Sequence, residues 1–321
     1  MILVAGGTGM LGTRVVRLLA AGGTPVRVLT RDAARARHLA APGVEVMTGD
    51  VREAGSLAPA VAGVRAVVSA VHGFIGGGGV SPTTVDDLGN ANLVLAAEAA
   101  GVEHFVLVSV VGAAPNHPLE LFRMKHRAEQ RLLASRLEWT VIRATAFMEL
   151  WARMIGDPLL LRGKTTIFGR GDNPINFVSV DDVARFVQLA VTDPGLRGVV
   201  AEVAGPENLS FNQMARVFES LSGSPGKVGH VPRTAMRLAT ALLRPVRPDL
   251  ARQIRAGVVM DTAEMRFDPA STLRLWPSFQ LTSLAEVARR RVADAGVEPR
   301  TGISGSSPAS RGGEGSPAGS R

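Results

Sequence analysis

Met1-Ile2-Leu3-Val4-Ala5-Gly6-Gly7-Thr8-Gly9-Met10-Leu11-Gly12 opens the chain, and its reading decides the fold. An apolar run of strand length ends in glycines, and a helical pattern starts at once. Val15, Leu18 and Leu19 fall at spacings of three and four, on one face of that helix. Each glycine has its own task in such a turn. Gly6 lets the strand turn sharply, since glycine enters positive φ without steric cost. Gly9 lacks a Cβ, so a pyrophosphate can lie against the backbone, and Gly12 lets the helix pack close to the strand. The helix N-terminus then offers unpaired N–H groups and partial positive charge to the phosphates. Three glycines at this spacing are a weak signal in a chain with 36 of them. Position strengthens it: the motif follows a strand, opens a helix and heads a β-α-β series, as a dinucleotide-binding turn requires.

Outward from this turn, strands and helices alternate. Residues 25–30 read as the second strand, followed by Arg31 and an Arg- and Ala-rich helix to about Leu39. Residues 44–47 form a third strand ending in Thr48-Gly49-Asp50, and 53–61 suit a short helix. Residues 64–70 make a fourth strand, with the continuous apolar run of a strand buried on both faces. A loop of His72-Gly73-Phe74-Ile75 and four glycines runs to Ser81-Pro82. Four successive glycines lose too much backbone entropy on ordering to make a rigid element, and the loop reads as a flap over the far end of a cofactor. A helix over 83–100, a fifth strand at 104–110, a helix over 119–135 carrying Lys125 and a sixth strand at 139–143 follow. This alternation predicts an α/β fold, a doubly wound parallel sheet of Rossmann type with ligands at the carboxyl ends of its strands.

From Ala144 the alternation breaks, which predicts a smaller, mostly helical C-terminal substrate lobe. The expected division gives 1–145 to the Rossmann domain, completed by about 175–205, and 146–174 with 206–300 to the second lobe. Within these, 175–180 and a helix capped by Asp181-Asp182 return to the first lobe, and 199–204 is the last strand. Ser210 with Gln213 makes a capping box. Residues 232–260 are Arg-, Leu- and Ala-rich helices interrupted by Pro245 and Pro248. They read as a lid on the second lobe, though their amphipathic pattern also suits a membrane surface. A last helix spans 282–295. Residues 301–321, almost without apolar side chains, are expected to be disordered.

Bulk composition narrows the function. With 321 residues and 46% hydrophobic content the chain can bury a large core, and no stretch approaches the roughly 18 apolar residues of a membrane span. The first strand leaves no room for a signal peptide, so a cytoplasmic location is expected. Cysteine is absent, which removes disulfides, thiolate nucleophiles and Cys-based metal sites. The six histidines show no ligand spacing, so no metal is expected. Net charge is +8, with much of the arginine beyond residue 230. No aromatic-interleaved basic stripe accompanies it, so no nucleic-acid partner is expected. A basic face attracting an anionic cofactor or a membrane surface fits better. There is no tyrosine.

A carboxylate at the end of the second strand would accept hydrogen bonds from an adenosine ribose and repel a 2′-phosphate. Here Thr30-Arg31 stand at that place and Asp32 comes one residue late. Arg31 can pair with a 2′-phosphate, with Arg14 and Arg35 nearby in sequence, which predicts NADP(H) over NAD(H). Asp50, followed by Val51 at the end of the third strand, is placed to accept from an adenine amino group. Ser69-Ala70-Val71 would line the adenosine-ribose side.

GGTGMLG, VLTRD, GDVRE, AVVSAV, VDDLGNANLVLAA, LVSVVGA, FRMKHRAEQRLLASRLEWTVIRATAFME and FVSVDDVA together resemble the NmrA-like branch of the atypical short-chain dehydrogenase/reductases, from residue 1 to about 220. The resemblance implies an NADP-preferring Rossmann domain with a small substrate lobe. It assigns pyrophosphate contacts to Gly6, Thr8, Gly9, Met10, Leu11 and Gly12, the 2′-phosphate to Arg31 and the adenine to Asp50. Lys125 would reach the nicotinamide ribose, with Arg143 through Phe147 beside the nicotinamide.

Catalytic members of the wider superfamily carry Tyr-x-x-x-Lys. Here Leu121 stands four residues before Lys125, and a hydrocarbon donates no proton. Ser109 is the candidate for the upstream serine. Two readings remain. One is a reductase passing hydride to a quinone, enone or similar acceptor, with Lys125 or water supplying the proton, as the resemblance to isoflavone-reductase-like enzymes implies. The other is a cofactor-binding regulator that senses nicotinamide redox state without turnover. A sugar-nucleotide epimerase would need the missing tyrosine. Phe74, Phe147 and Trp151, with the 72–82 loop and the helices beyond 230, suggest a pocket for a flat apolar or aromatic small molecule. Nothing in the pattern specifies an oligomer.

Overall fold

β1 (Ile2–Ala5) has all four side chains buried and lies in the interior of the main sheet. In the computed structural model, which describes residues 1–223 and 225–295, it leads through the glycine turn into α1 (Met10–Ala21). β2 (Val26–Thr30) and β3 (Val44–Thr48) follow on one side of it. Between them 33–39 winds as a 3₁₀ helix rather than the α-helix expected. Its only buried residues, Ala36 and Leu39, are three apart, which matches the 3₁₀ period. α2 (Ala58–Val61) is short and leads to β4 (Ala66–Ser69), buried throughout and paired with the other side of β1.

The helix expected from Thr83 begins at Pro82 with a π turn, capped by Ser81 and Thr84, before becoming α3 (Leu88–Ala99). β5 (His104–Val110), α4 (Glu120–Leu133) and β6 (Glu138–Ala144) extend the sheet. Beyond β6 come β7 (Ala146–Phe147), α5 (Met148–Trp151), α6 (Asp157–Arg162), β8 (Lys164–Phe168) and β9 (Ile175–Val178). α7 (Val180–Thr192) and β10 (Val199–Val203) return to the main sheet. α7 is capped by Ser179, whose hydroxyl accepts from the Asp181 N–H, and not by the aspartates, which occupy its first turn. β11 (Asn208–Leu209), α8 (Phe211–Ser222), β12 (Lys227–Val231), α9 (Arg233–Leu243), α10 (Pro248–Met260), α11 (Ala270–Leu275) and α12 (Leu284–Asp294) complete the described chain. The 301–321 tail lies outside the described residues.

The main sheet is parallel throughout, in the order β10-β6-β5-β4-β1-β2-β3. Chain direction across the sheet therefore reverses between β1 and β4, which defines the switch point where doubly wound sheets bind ligands. One face is covered by α1 and α7, with Val15, Leu19, Val183 and Phe186 in its core; the other is packed by Leu57, Leu93, Val94 and Leu132. A third core, around Ile155, Phe177, Phe211 and Phe218, belongs to the second lobe. That lobe holds strands as well as helices: β11-β9-β7 form one small sheet and β12-β8 another. The predicted Ser210–Gln213 box does cap α8.

Candidate active site

At the carboxyl end of β1 the backbone leaves no room for side chains. Gly6 has φ +79°, and a Cβ there would lie 2.8 Å from the Ala70 carbonyl oxygen at the end of β4. A Cβ on Gly12 would come within 2.2 Å of the Gly6 oxygen. Thr13 N–H donates to Gly9 O at 2.9 Å, closing the first turn of α1. The amides of Met10, Leu11 and Gly12 precede that bond and have no partner within the helix. No side chain caps this end and no acidic residue stands in its first turn. A diphosphate fits such a cradle, because it supplies the missing acceptors and the negative charge together. Leu11 is buried, so only its amide is available to a ligand.

At the end of β2, Arg31 is exposed and has no carboxylate partner among the described residues. Arg14, adjacent only in sequence, turns away: it pairs with Asp181 of α7 and donates to Met10 O. Asp50 is clasped by Arg52, whose backbone N–H, Nε and Nη2 all donate to its carboxylate. Those bonds, with Arg31 adding a weaker attraction, hold the carboxyl below its usual pKa. Any adenine amino group would share Asp50 with Arg52. Val51 is buried against Gly89, and its carbonyl accepts from Asn92. Ser69 departs from the expectation. Its side chain is buried and its hydroxyl donates to Asn90, so what this segment offers a nucleotide comes from the backbone of Ala70 and Val71.

α4 carries two charges, Lys125 and Glu129, on its buried face. Lys125 is 4% exposed. Its Nζ donates to Val71 O and Val108 O, each at 2.9 Å, and lies 3.0 Å from Asp86 Oδ1. The ammonium thus donates to two carbonyls at the ends of β4 and β5 and is ion-paired, without a hydrogen bond, to the carboxylate in the turn before α3. Asp86, which the sequence reading missed, has no exposed surface, and its other oxygen accepts from Gly73 N–H at 2.8 Å. Between these two pinned points His72 keeps its side chain exposed.

Ser109 likewise has its hydroxyl engaged. Its hydroxyl donates to Glu129 Oε1, and Arg143 donates to both oxygens of the same carboxylate at 3.0 and 2.6 Å. Ser109, Glu129 and Arg143 therefore form a network in which the serine proton is already used, its Arg143 end partly exposed and 3.9 Å from Glu202. Arg143 points to α4 rather than standing free beside a nicotinamide. The spacing of Glu129 four residues after Lys125 is the signal that could have exposed this network.

On the substrate side, Phe147 is half-buried and packs against the core under α7. The 72–82 loop is tied down by Arg252 of α10, which donates to Phe74 O and Gly76 O, with Glu120 of α4 at 3.9 Å. The loop, the start of α4 and one C-terminal helix thus meet. Trp151 does not join them. It packs against Phe211 with the rings tilted at 37° and lines a cavity of about 510 Å³ with Ile155, Lys164, Phe168 and Lys227, none of them in the loop.

Residues 6–194 match the model of a family described as NAD(P)H-binding. The chain is 34% identical over 227 residues to an NAD(P)H azoreductase of Xenophilus azovorans, covering 70% of this chain and 75% of that protein. It is 27% identical over 244 residues to the photosystem II assembly factor Ycf39 of Synechocystis, covering 76% and 74%. Among solved structures, an NADPH-dependent quinone oxidoreductase from Escherichia coli in complex with NADPH superposes with a TM-score of 0.73 at 26% identity, over 91% of this chain and 99% of that one. With its glycine cradle at the switch point of a parallel sheet, the chain belongs to the NAD(P)H-binding, NmrA-like family of atypical short-chain reductases.

Proposed function

We propose that the protein is an NADPH-dependent reductase of a small apolar or aromatic acceptor, a quinone, enone or azo compound, working without a catalytic tyrosine. The observation that carries this reading is the position of Lys125 at the carboxyl ends of β4 and β5, beside the glycine cradle and facing the pinned 72–82 loop. The amides of Met10, Leu11 and Gly12 would hold the diphosphate against the bare backbone of Gly9, Arg31 the 2′-phosphate, and Asp50 with the backbone of Ala70 and Val71 the adenosine. Bound there, NADPH supplies hydride. Lys125 orients the nicotinamide end: it keeps Asp86 and exchanges one carbonyl acceptor for a ribose or substrate oxygen. The proton then comes from Lys125 or from water. Named activities of relatives on azo compounds and quinones support this acceptor class.

The test is NADPH oxidation with a panel of quinones, enones and azo dyes. Turnover that Lys125→Met abolishes while NADPH still binds supports the enzyme. Tight NADPH binding without turnover on any acceptor supports the second reading, a cofactor-sensing protein, which the similarity to an assembly factor favours.

A further inference from the structure

α9 buries one side chain fully, Met236, which fits against Gly257 of α10 where a Cβ would come within 2.9 Å. The opposite side of α9 faces solvent, and it is apolar. Ala235, Leu238, Ala241 and Leu242 fall at helical spacing along it, and Val246 continues the stripe past the C-terminus. Leu238, Leu242 and Val246 are 62%, 65% and 69% exposed. A contiguous exposed row of this kind on a protein with a large internal core marks a contact surface.

Charge identifies what it contacts. From Gly226 to Pro248 there is no Asp or Glu, while Lys227, Arg233, Arg237, Arg244 and Arg247 are all basic. Arg233 reaches Asp261 and Arg247 reaches Asp249. Arg237 and Arg244 are exposed beside the leucines and have no carboxylate partner among the described residues. Leucines flanked by unpaired arginines fit a surface that is apolar at depth and anionic above, which is an interfacial lipid layer. A second copy of the chain fits poorly. A two-fold contact through the leucines would bring the arginines of one copy against those of the other.

We propose that this face of α9 docks the protein on an anionic phospholipid membrane. The inference is independent of the reductase reading, since it is tested without substrate. The experiment is co-sedimentation of the full chain with vesicles of phosphatidylcholine alone and with about 30% phosphatidylglycerol. The expected result is at least roughly tenfold tighter binding to the anionic vesicles, weakened by high salt. Leu238→Ser/Leu242→Ser and Arg237→Glu/Arg244→Glu should each lose at least about tenfold of it, with melting temperature and NADPH affinity unchanged. Absent binding, equal binding to both vesicles, or binding that survives the substitutions overturns the proposal. So does a dimer in light scattering that the leucine substitutions dissolve, which would assign the face to a second copy.

Discussion

Lys125 Nζ lies 3.0 Å from Asp86 Oδ1, with both side chains withdrawn from water. A charge left alone in that setting is costly, because neither solvent nor another ion compensates it. Lys125→Met strands Asp86 on a single Gly73 amide, and Asp86→Ala leaves the ammonium with two carbonyls. Each should lower stability by about 3–5 kcal/mol in urea unfolding. Lys125→Met/Asp86→Asn, which removes both charges, should recover part of that loss. Additive losses in the double variant would show that the two groups are not coupled.

Ser109→Ala removes one donor from Glu129, which keeps both bonds from Arg143. The expected cost is about 1 kcal/mol of stability and less than about threefold in NADPH-dependent turnover. A serine that moves a proton in the reaction would show a loss on the order of 10²–10⁴. Steady-state rates of the variant therefore decide whether this network is structural.

Gly9 tests the cradle without disturbing the fold. Its backbone has φ −79°, open to any residue, and an added Cβ meets only Gly6 O, at 3.2 Å. Gly9→Ala should shift the melting temperature by only about 2 °C. The added methyl would stand where the diphosphate approaches, so NADPH affinity should fall at least about tenfold, or about 1.4 kcal/mol. Unchanged affinity by calorimetry would place the nucleotide elsewhere.

β1, β4 and β5 were legible because strands buried on both faces must be apolar along their length; β3, largely exposed at the sheet edge, was legible from its place in the strand–helix alternation. β8 and β12 were not: Lys164, Thr166, Lys227 and His230 point outward and erase the pattern. The glycine cradle could be read from residue type alone, since its chemistry is backbone chemistry. The partners of Lys125 could not. Asp86 sits in a Val-Asp-Asp run that reads as a helix start, and only the fold brings it under α4. The hydroxyl partners of Ser69 and Ser109 were not legible for a related reason. Strand position places a serine at the carboxyl end, but the buried partner that takes its proton comes from a distant helix.

Arg31 is proposed to select between the two nicotinamide dinucleotides. It is exposed and without a carboxylate partner among the described residues, so its guanidinium is free to meet a phosphate dianion. A charge-assisted bond of about 1.5–3 kcal/mol corresponds to roughly 10- to 100-fold in affinity. Arg31→Ser should weaken NADPH binding by at least about tenfold and leave NADH nearly unchanged. Equal losses for both dinucleotides would remove the assignment.

His104 should set much of the acid sensitivity. It is buried in β5, its Nε2 bonded to Thr140 Oγ1 at 2.9 Å, while that hydroxyl donates to Leu196 O. The imidazole Nε2–H is therefore the donor. Burial, reinforced by Arg197, pushes its pKa down to about 4 from 6.5. As pH falls, the unfolded chain takes up this proton first, near 6.5, and the folded chain only near 4. Stability contributed by the neutral ring is complete above about 6.5, declines through the interval, and levels off below 4. At pH 5 the loss relative to pH 7 is about 2 kcal/mol. His104→Gln keeps a donor for Thr140 but cannot titrate, so its unfolding free energy should drop by about 2 kcal/mol less than wild type between pH 7 and 5. Parallel losses in the two proteins would show that other groups govern the acid limb.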